Sequence, residues 1–327
     1  MSDFAMTNLH QNEIFSRIVS KEANKNLLTF VTVSFSEELS SLLLQARSLV
    51  IHGYEAIGRW IIIFNEDLSS EREIEIIRAI KAEVSGASFR VDFASRQKVT
   101  DIDLSSYPGS RSQQVLKLEI SRFVEEDFYV VLDSKNHAIR PIEKSHFIEN
   151  GRAKVHTQIY HKNNPFYKWF ANAFNLVGLV IDEEIHRGYQ STTPYILITH
   201  IARECLRPEN LISELKWYEY IRLPSVAANS VTEFALYSAM IHSKKATQNI
   251  TVSARIYETL FPKSPFLETL KATTNEAIIF LGIHRLRIPE LSLEEKRELS
   301  KAWVYFGLFS DEEKGIQFLE SGRLAPY

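Results

Sequence analysis

The sequence predicts an α/β fold: a mixed, mainly parallel central sheet flanked by helices, followed by a C-terminal helical extension. Three observations predict it. Apolar runs rich in β-branched and aromatic residues alternate with amphipathic segments, as a parallel sheet with covered faces requires. One of these runs, Phe128-Tyr129-Val130-Val131-Leu132, has no polar alternation, which suits a strand buried on both faces. Beyond Ser292 only helical patterns remain, with Trp303, Phe306, Phe309 and Phe318 available for docking. The expected organisation is an N-terminal segment over 1–27, one α/β domain over 28–290 and the helical extension over 291–327.

The elements follow in order. Leu28 to Ser34 reads as the first strand. A helix then opens at Ser36, an N-cap candidate followed by Glu37 and Glu38 in the first turn. Leu39, Leu42, Leu43, Ala46, Leu49 and Val50 form its buried stripe, and Gly53 is a suitable stop. Trp60 to Asn65 is a second strand, and Ser70 with Glu73 makes a capping box for the next helix. Phe89 to Phe93 is a third strand. A helix from Arg111 repeats apolar residues at Val115, Leu118 and Phe123 and leads to the Phe128 run. Further on, aromatic and amide residues (Tyr160, Phe166, Tyr167, Trp169, Phe170, Asn172) crowd a segment where core is the commoner fate of aromatics. Thr193 is an N-cap candidate with Pro194 at the first helical position, Ile221 to Pro224 reads as a short edge strand, and Ser230 begins a helix whose capping box would include Glu233. Ala277 to Ile283 reads as a late central strand. Capping boxes Ser292/Glu295 and Ser310/Glu313 announce two final helices.

Composition narrows the function classes. With 45% apolar and 24% charged residues in 327, the chain has an ordinary globular balance. The net charge of −3, with Lys and Arg dispersed, argues against nucleic acid as a partner. The single cysteine, Cys205, rules out an intrachain disulfide and reads as a small core residue. The N-terminus lacks a basic segment followed by a long apolar stretch, so the expected location is the cytoplasm, with peripheral contact at the inner membrane left open. The first strand is not followed by Gly-x-Gly-x-x-Gly, and no Walker loop occurs, so a dinucleotide oxidoreductase and a P-loop enzyme are both disfavoured. The ten histidines form no zinc-type spacing, and Gly-x-Ser-x-Gly is missing.

The turn Asp133-Ser134-Lys135-Asn136 is the most informative stretch. It sits where the buried strand ends, and in open α/β sheets ligands bind beyond the carboxyl ends of the strands. The same four residues also make a good surface turn. Gln113-Gln114-x-Leu116-Lys117-Leu118, followed by Phe128-Tyr129-Val130-Val131-Leu132-Asp133-Ser134-Lys135-Asn136-His137 and then Ile139-Arg140-Pro141, resembles the core block of an uncharacterised bacterial glycosyltransferase-like family with the GT-A, nucleotide-diphospho-sugar transferase, fold. The resemblance extends to Thr193-Pro194-Tyr195, to Thr232-Glu233-Phe234 with Leu236-Tyr237, and to Gly282-Ile283-His284-Arg285.

The resemblance implies transfer of a sugar from a nucleotide-diphosphate sugar to a glycan or lipid-linked acceptor in bacterial surface polysaccharide synthesis. In that fold an Asp-x-Asp turn holds Mn²⁺ or Mg²⁺ across the two phosphates. Here Asp133 matches the first acid and Lys135 stands at the second. Two versions follow: Asp133 and His284 hold a weakly bound metal, or the site is metal-independent and Lys135, Arg285 and Lys117 stabilise the leaving diphosphate. Gln114 and Lys117 share a helix face and become donor contacts, with Asn136 beside them. Glu233 is the candidate for the acid that takes the acceptor proton, and the aromatic segment around Tyr160 could face the acceptor. Other readings are a nucleotidyltransferase on the same fold, or a GT-A scaffold that binds a nucleotide or glycan without turnover.

Overall fold

The computed structural model describes residues 27–181, 185–212, 215–224 and 229–324. Apart from Leu27, the N-terminal segment lies outside them. Strands β1 (Leu28–Ser34), β2 (Ile57–Phe64), β3 (Arg90–Ser95) and β4 (Phe128–Asp133) are separated by helices α1 (Leu39–His52), α2 (Ser70–Glu83), the single turn α3 (Arg96–Val99) and α4 (Gly109–Glu119). After β4 come β5 (Asn136–Ala138), β6 (Ile148–Glu149), β7 (Arg152–Val155) and β8 (Thr157–His161). Helix α5 (Pro165–Leu176), β9 (Ile185–Tyr189), β10 (Tyr195–Ile198), α6 (Thr199–Cys205), α7 (Trp217–Arg222) and α8 (Glu233–Ser243) follow. The chain continues through β11 (Ile250–Val252), β12 (Tyr257–Leu260), α9 (Phe266–Ala272), β13 (Phe280–Ile283), α10 (Leu293–Tyr305) and α11 (Glu312–Ser321).

The central sheet has five strands in the order β10-β4-β1-β2-β3. All neighbours are parallel except β10, which runs antiparallel to β4. The β1-α1-β2 and β2-α2-β3 crossovers progress one way across the sheet, whereas the connection through α4 returns to the other side of β1. Right-handed crossovers then put α1 and α2 on one face and α4 on the opposite face, where α4 packs against α6 and α8. Every residue of β1 is buried, as are Tyr129 to Leu132 of β4. The mixed, mainly parallel sheet flanked by helices is thus the fold that the strand and helix patterns predict.

A second core lies beside the first. A small sheet in the order β12-β13-β5 packs with α10 and α11 through Ile139, Leu281, Ile283, Leu299, Trp303, Phe309 and Phe318. Among the described residues no helix is long and apolar enough to cross a membrane.

Several local expectations are corrected. Thr193 and Pro194 precede a strand, β10, and not a helix; Tyr195-Ile196-Leu197-Ile198 is too apolar and β-branched for anything but a buried position beside β4. Ile221 lies in the last turn of helix α7 instead of starting an edge strand. The late strand is only Phe280–Ile283 and belongs to the second sheet. Four caps differ from those expected. Ser36 caps nothing: it begins a single 3-10 turn leading into α1. Ser69 caps α2 in place of Ser70. Thr232 caps α8, so Glu233 does not close a box with Ser230. Asp311 caps α11 in place of Ser310. In these last three the working cap has extended backbone and lies directly before the first helical residue, the geometry in which a side-chain oxygen reaches the N2 or N3 amide. The Ser292/Glu295 box forms as expected.

Candidate active site

The strand order reverses between β1 and β4, which makes the carboxyl end of this pair the switch point where α/β sheets open a crevice. Val33 of β1 is level with Asp133 of β4. Only Ser134 and Lys135 separate Asp133, the last residue of the central sheet here, from Asn136, the first of the second sheet.

A polar network fixes this turn. The Trp60 indole donates to the Thr32 hydroxyl (3.0 Å), which donates to Gln45 Oε1 (2.8 Å). Gln45 Nε2 in turn donates to the carbonyls of Asp133 (2.8 Å) and Asn136 (2.6 Å). The Asp133 amide donates to Asn136 Oδ1 (2.9 Å), so the Asn136 side chain, wholly buried, serves the turn and not the crevice. β13 then delivers two more residues. It pairs antiparallel with β5 and places Gly282 opposite Asn136, and the Ile283 amide donates to the Lys135 carbonyl (3.2 Å). A Cβ on Gly282 would stand 3.1 Å from Asn136 Nδ2 and 2.9 Å from Thr259 Oγ1, so this close approach needs glycine. His284 and Arg285 consequently emerge beside Lys135.

These elements enclose a cavity of about 90 Å³ lined by Asp133, Ser134 and Lys135 from the turn, and by His284 and Arg285 from beyond β13. Glu38 and Ser41 from α1 and its preceding turn, and Gln113 from α4, complete it. Of the residues expected at the site, Asp133, Lys135, His284 and Arg285 are brought together here. Gln113 reaches the cavity and Gln114 does not; Gln114 accepts from Arg111 Nη1 instead (3.4 Å). Lys117 and Glu233 lie underneath, buried.

Lys117 is the electrostatic centre of that floor. Its Nζ is 2.8 Å from Asp133 Oδ1 and 3.2 Å from Glu233 Oε1, and 5.3 Å from the centre of the Phe234 ring. The start of α8 is held in reach because Arg111 donates to Ser230 Oγ (2.8 Å) and to the Val231 carbonyl (3.1 Å). Lys135 Nζ contacts the other Asp133 oxygen. Burial alone would raise the Asp133 pKa, but the charges of Lys117 and Lys135 and their hydrogen bonds outweigh it and carry it far below the carboxylate range. Burial likewise opposes the Lys117 charge, and Asp133 with Glu233 overcomes it and holds the ammonium above its ordinary value. Glu233 is pushed up by burial, with Lys117 offsetting part of the effect. His284 is pushed down by burial and then by Lys135 and Arg285, so its ring is neutral at pH 7.

This donor set does not fit a divalent ion. A hard dication takes about six oxygen ligands, whereas both Asp133 oxygens here face ammonium groups. Among the described residues no three His, Cys, Asp or Glu side chains gather as a metal site.

Gln45, Glu38 and Ser41 were not singled out for the site in the sequence. Gln45 lies between Leu42 and Leu49 on the buried stripe of α1, and a polar residue on such a stripe is the signal that could have found it. Glu38 read as a helix first-turn acid; its position just beyond the end of β1 was the available clue.

Solved structures similar to this chain include three glycosyltransferases. The galactosyltransferase LgtC, in complex with donor and acceptor sugar analogues, matches with a TM-score of 0.48 at 10% identity, over 84% of this chain and 95% of that one. The bifunctional glycosyltransferase WbbM in its apo form matches at 0.40 and 10% identity, over 79% and 45%. Core-mannan synthase A from Aspergillus fumigatus, in its Mn/GDP form, matches at 0.38 and 10% identity, over 69% and 72%. No curated protein matches the sequence. The model of DUF6492, a family of unknown function, matches residues 30–261, and the chain belongs to that family.

Proposed function

We propose that this protein is a glycosyltransferase that moves a sugar from a nucleotide-diphosphate sugar to a glycan or lipid-linked acceptor in bacterial surface polysaccharide synthesis, without a bound metal. One observation carries the reading: the cavity at the strand-order reversal places Lys135 and Arg285 around a space the size of a phosphoryl group, above the buried Lys117 ammonium. Breaking a sugar-phosphate bond leaves charge on a diphosphate, and fixed cations in a partly enclosed site stabilise it as it develops. Lys135 and Arg285 face that charge, and neutral His284 can donate a hydrogen bond to it. Asp133 orients both lysines, and Glu233 compensates Lys117 from below. The nucleoside and sugar extend beyond the cavity along the sheet edge, since about 90 Å³ holds only the phosphate portion.

The test is calorimetric titration of UDP, GDP, CMP and a panel of their sugars in EDTA and in Mn²⁺. The expected result is binding in EDTA that Lys135→Ala weakens by about 10- to 100-fold, the worth of one hydrogen bond to a charged group. Binding that strictly requires Mn²⁺ would overturn the metal-free route, and no binding of any nucleotide would overturn the donor site. The engagement of both Asp133 oxygens by lysines favours one second reading, a nucleotide- or glycan-binding protein without turnover. It predicts the same binding with no release of nucleotide from any sugar donor.

A further inference from the structure

We infer that the phosphate portion of the donor enters this cavity together with one proton, which Glu38 takes from solvent so that its carboxylic acid donates a hydrogen bond to a phosphoryl oxygen; the inference rests on the donor-site reading above. The reason lies in the charges around the cavity. Every cation there is already matched: Lys135 pairs with Asp133, Arg285 with Glu37 (3.0 Å), and Lys117 beneath the floor is shared by Asp133 and Glu233. Glu38 also lines the cavity and, among the described residues, makes no salt bridge. Three cations therefore stand against four carboxylates before any ligand arrives. A phosphoryl group adds a further anion in a partly enclosed space of about 90 Å³, where water screens charge weakly. Repulsion falls most when the carboxylate without a cationic partner is the one neutralised.

The other acids are fixed in their charge or out of reach. Asp133 is held ionised by ammonium groups on both oxygens. Glu233 is buried against Lys117 and does not line the cavity. Glu37 is 78% exposed, so solvent screens it. Glu38 Oε2 accepts a hydrogen bond from Ser134 Oγ (2.6 Å), which holds the carboxyl at the cavity wall and leaves Oε1 to carry the proton. A protonated carboxyl can donate to phosphate, whereas a carboxylate only accepts.

The groups that face Glu38 set where it titrates. They are Asp133, Ser134 and Lys135 from the turn, His284 and Arg285 from beyond β13, the uncharged Gln113 from α4, and Glu37 and Ser41 from its own segment. Two residues before it, the Ser36 amide is bonded to Glu66. Burial raises the Glu38 pKa; Ser134 lowers it, Asp133 raises it further, and Arg285 and Lys135 offset part. The balance lies above the ordinary carboxylate value, and an incoming phosphate raises it again, because a nearby negative charge disfavours the ionised acid. Donor binding consequently takes up no proton at low pH, where Glu38 already holds one, and approaches one proton between the free and bound pKa values. By linkage, affinity is greatest at low pH and falls by up to about tenfold per pH unit across that window.

The experiment is calorimetric titration of UDP-glucose, UDP-galactose, UDP-N-acetylglucosamine and GDP-mannose into wild type, Glu38→Gln and Ser134→Ala. It is run in EDTA from pH 5.5 to 8.5, each pH in buffers of different ionisation enthalpy. Sugar nucleotides serve because both of their phosphates are esterified and do not titrate in this range. The slope of the observed heat against buffer enthalpy counts the protons bound. Wild type is expected to take up close to one proton where its affinity declines, and to lose about tenfold or more in affinity across the range. Glu38→Gln, whose carboxamide is a permanent donor, should bind without uptake and vary by less than about threefold with pH. Ser134→Ala keeps Glu38 but loses the hydrogen bond that favours its charged form, so its decline should begin at higher pH. Uptake undiminished in Glu38→Gln, or a decline that Ser134→Ala leaves in place, would put the proton on another group, His284 foremost, and overturn the inference while the donor site stands. Wild type that binds with no proton uptake at any pH would do the same. Wild type that binds none of these sugar nucleotides would overturn the donor site and the inference with it.

Discussion

Lys117 shows how a single side chain can be decisive and yet hard to read. Taking an ammonium and two carboxylates out of water costs several kcal/mol per ion, and their mutual attraction offsets this only while all three are present. Lys117→Met is therefore expected to lower stability by about 3–5 kcal/mol, because it strands Glu233 as an unpaired buried acid and leaves Asp133 with Lys135 alone. Urea denaturation of the variant and of Lys117→Met/Glu233→Gln checks it: the double variant should regain part of the loss. In the sequence, Lys117 reads as half of a Gln114/Lys117 pair of donor contacts on one helix face. Its true partners lie 16 and 116 residues away. No periodicity within one helix encodes such a meeting, although the position of Asp133 at a strand end was legible. Lys135 and Arg285, by contrast, stand where the motif order suggested, since the short β4 to β5 turn and β13 leave them little choice.

At the scale of elements, what propensity controls was readable and what neighbours control was not. The four parallel strands came from short apolar runs rich in β-branched and aromatic residues, and the helices between them from the 3.6-residue pattern, both of which follow from which faces are buried. The errors fall where local signals compete. Ser69 and Ser70 are both acceptable caps, and only the backbone of the folded helix selects one. The Thr193-Pro194 start has the look of a helix N-terminus, yet β4 offers an unpaired edge that Tyr195 to Ile198 satisfies. Gln45 belongs to this scale as well. Its amide bonds span from α1 to both ends of the β4 to β5 turn, so it converts the packing of a helix into the position of a turn.

Across the whole molecule, the two cores meet at His137. This residue is buried and does not line the cavity. Its Nε2 accepts from the Trp303 indole (2.9 Å), which ties the turn to α10. Burial pushes the His137 pKa down to about 3 from 6.5. A buried neutral histidine binds fewer protons than its unfolded counterpart between those values, so stability falls as pH drops from about 6.5 towards 3 and is unaffected by it above. The slope approaches about 1.4 kcal/mol per pH unit. Urea midpoints between pH 7 and 4 should show this decline in wild type and a shallower one in His137→Gln. Asp133 acts on the same scale at lower pH: its contribution is complete above the ordinary carboxylate pKa and is lost only as pH falls through its depressed one. The C-terminal helices and their aromatic docking residues were legible as elements. Their partner surface was not: Leu281 and Ile283 lie in a run that read as a central strand, whereas β13 belongs to the second sheet, and Ile139 follows β5 outside any strand.

The two-residue passage from Asp133 to Asn136 has one more consequence. A segment that belongs to two sheets at once cannot fray alone: releasing the Asp133 amide from Asn136, or the Ile283 amide from the Lys135 carbonyl, disturbs both cores together. In deuterium exchange these two amides should therefore behave as the slowest class, opening only with the whole molecule, while amides in exposed loops exchange by local fluctuation. The cationic end of the cavity would then be a rigid seat, and whatever motion admits and releases a ligand must come from the walls around it.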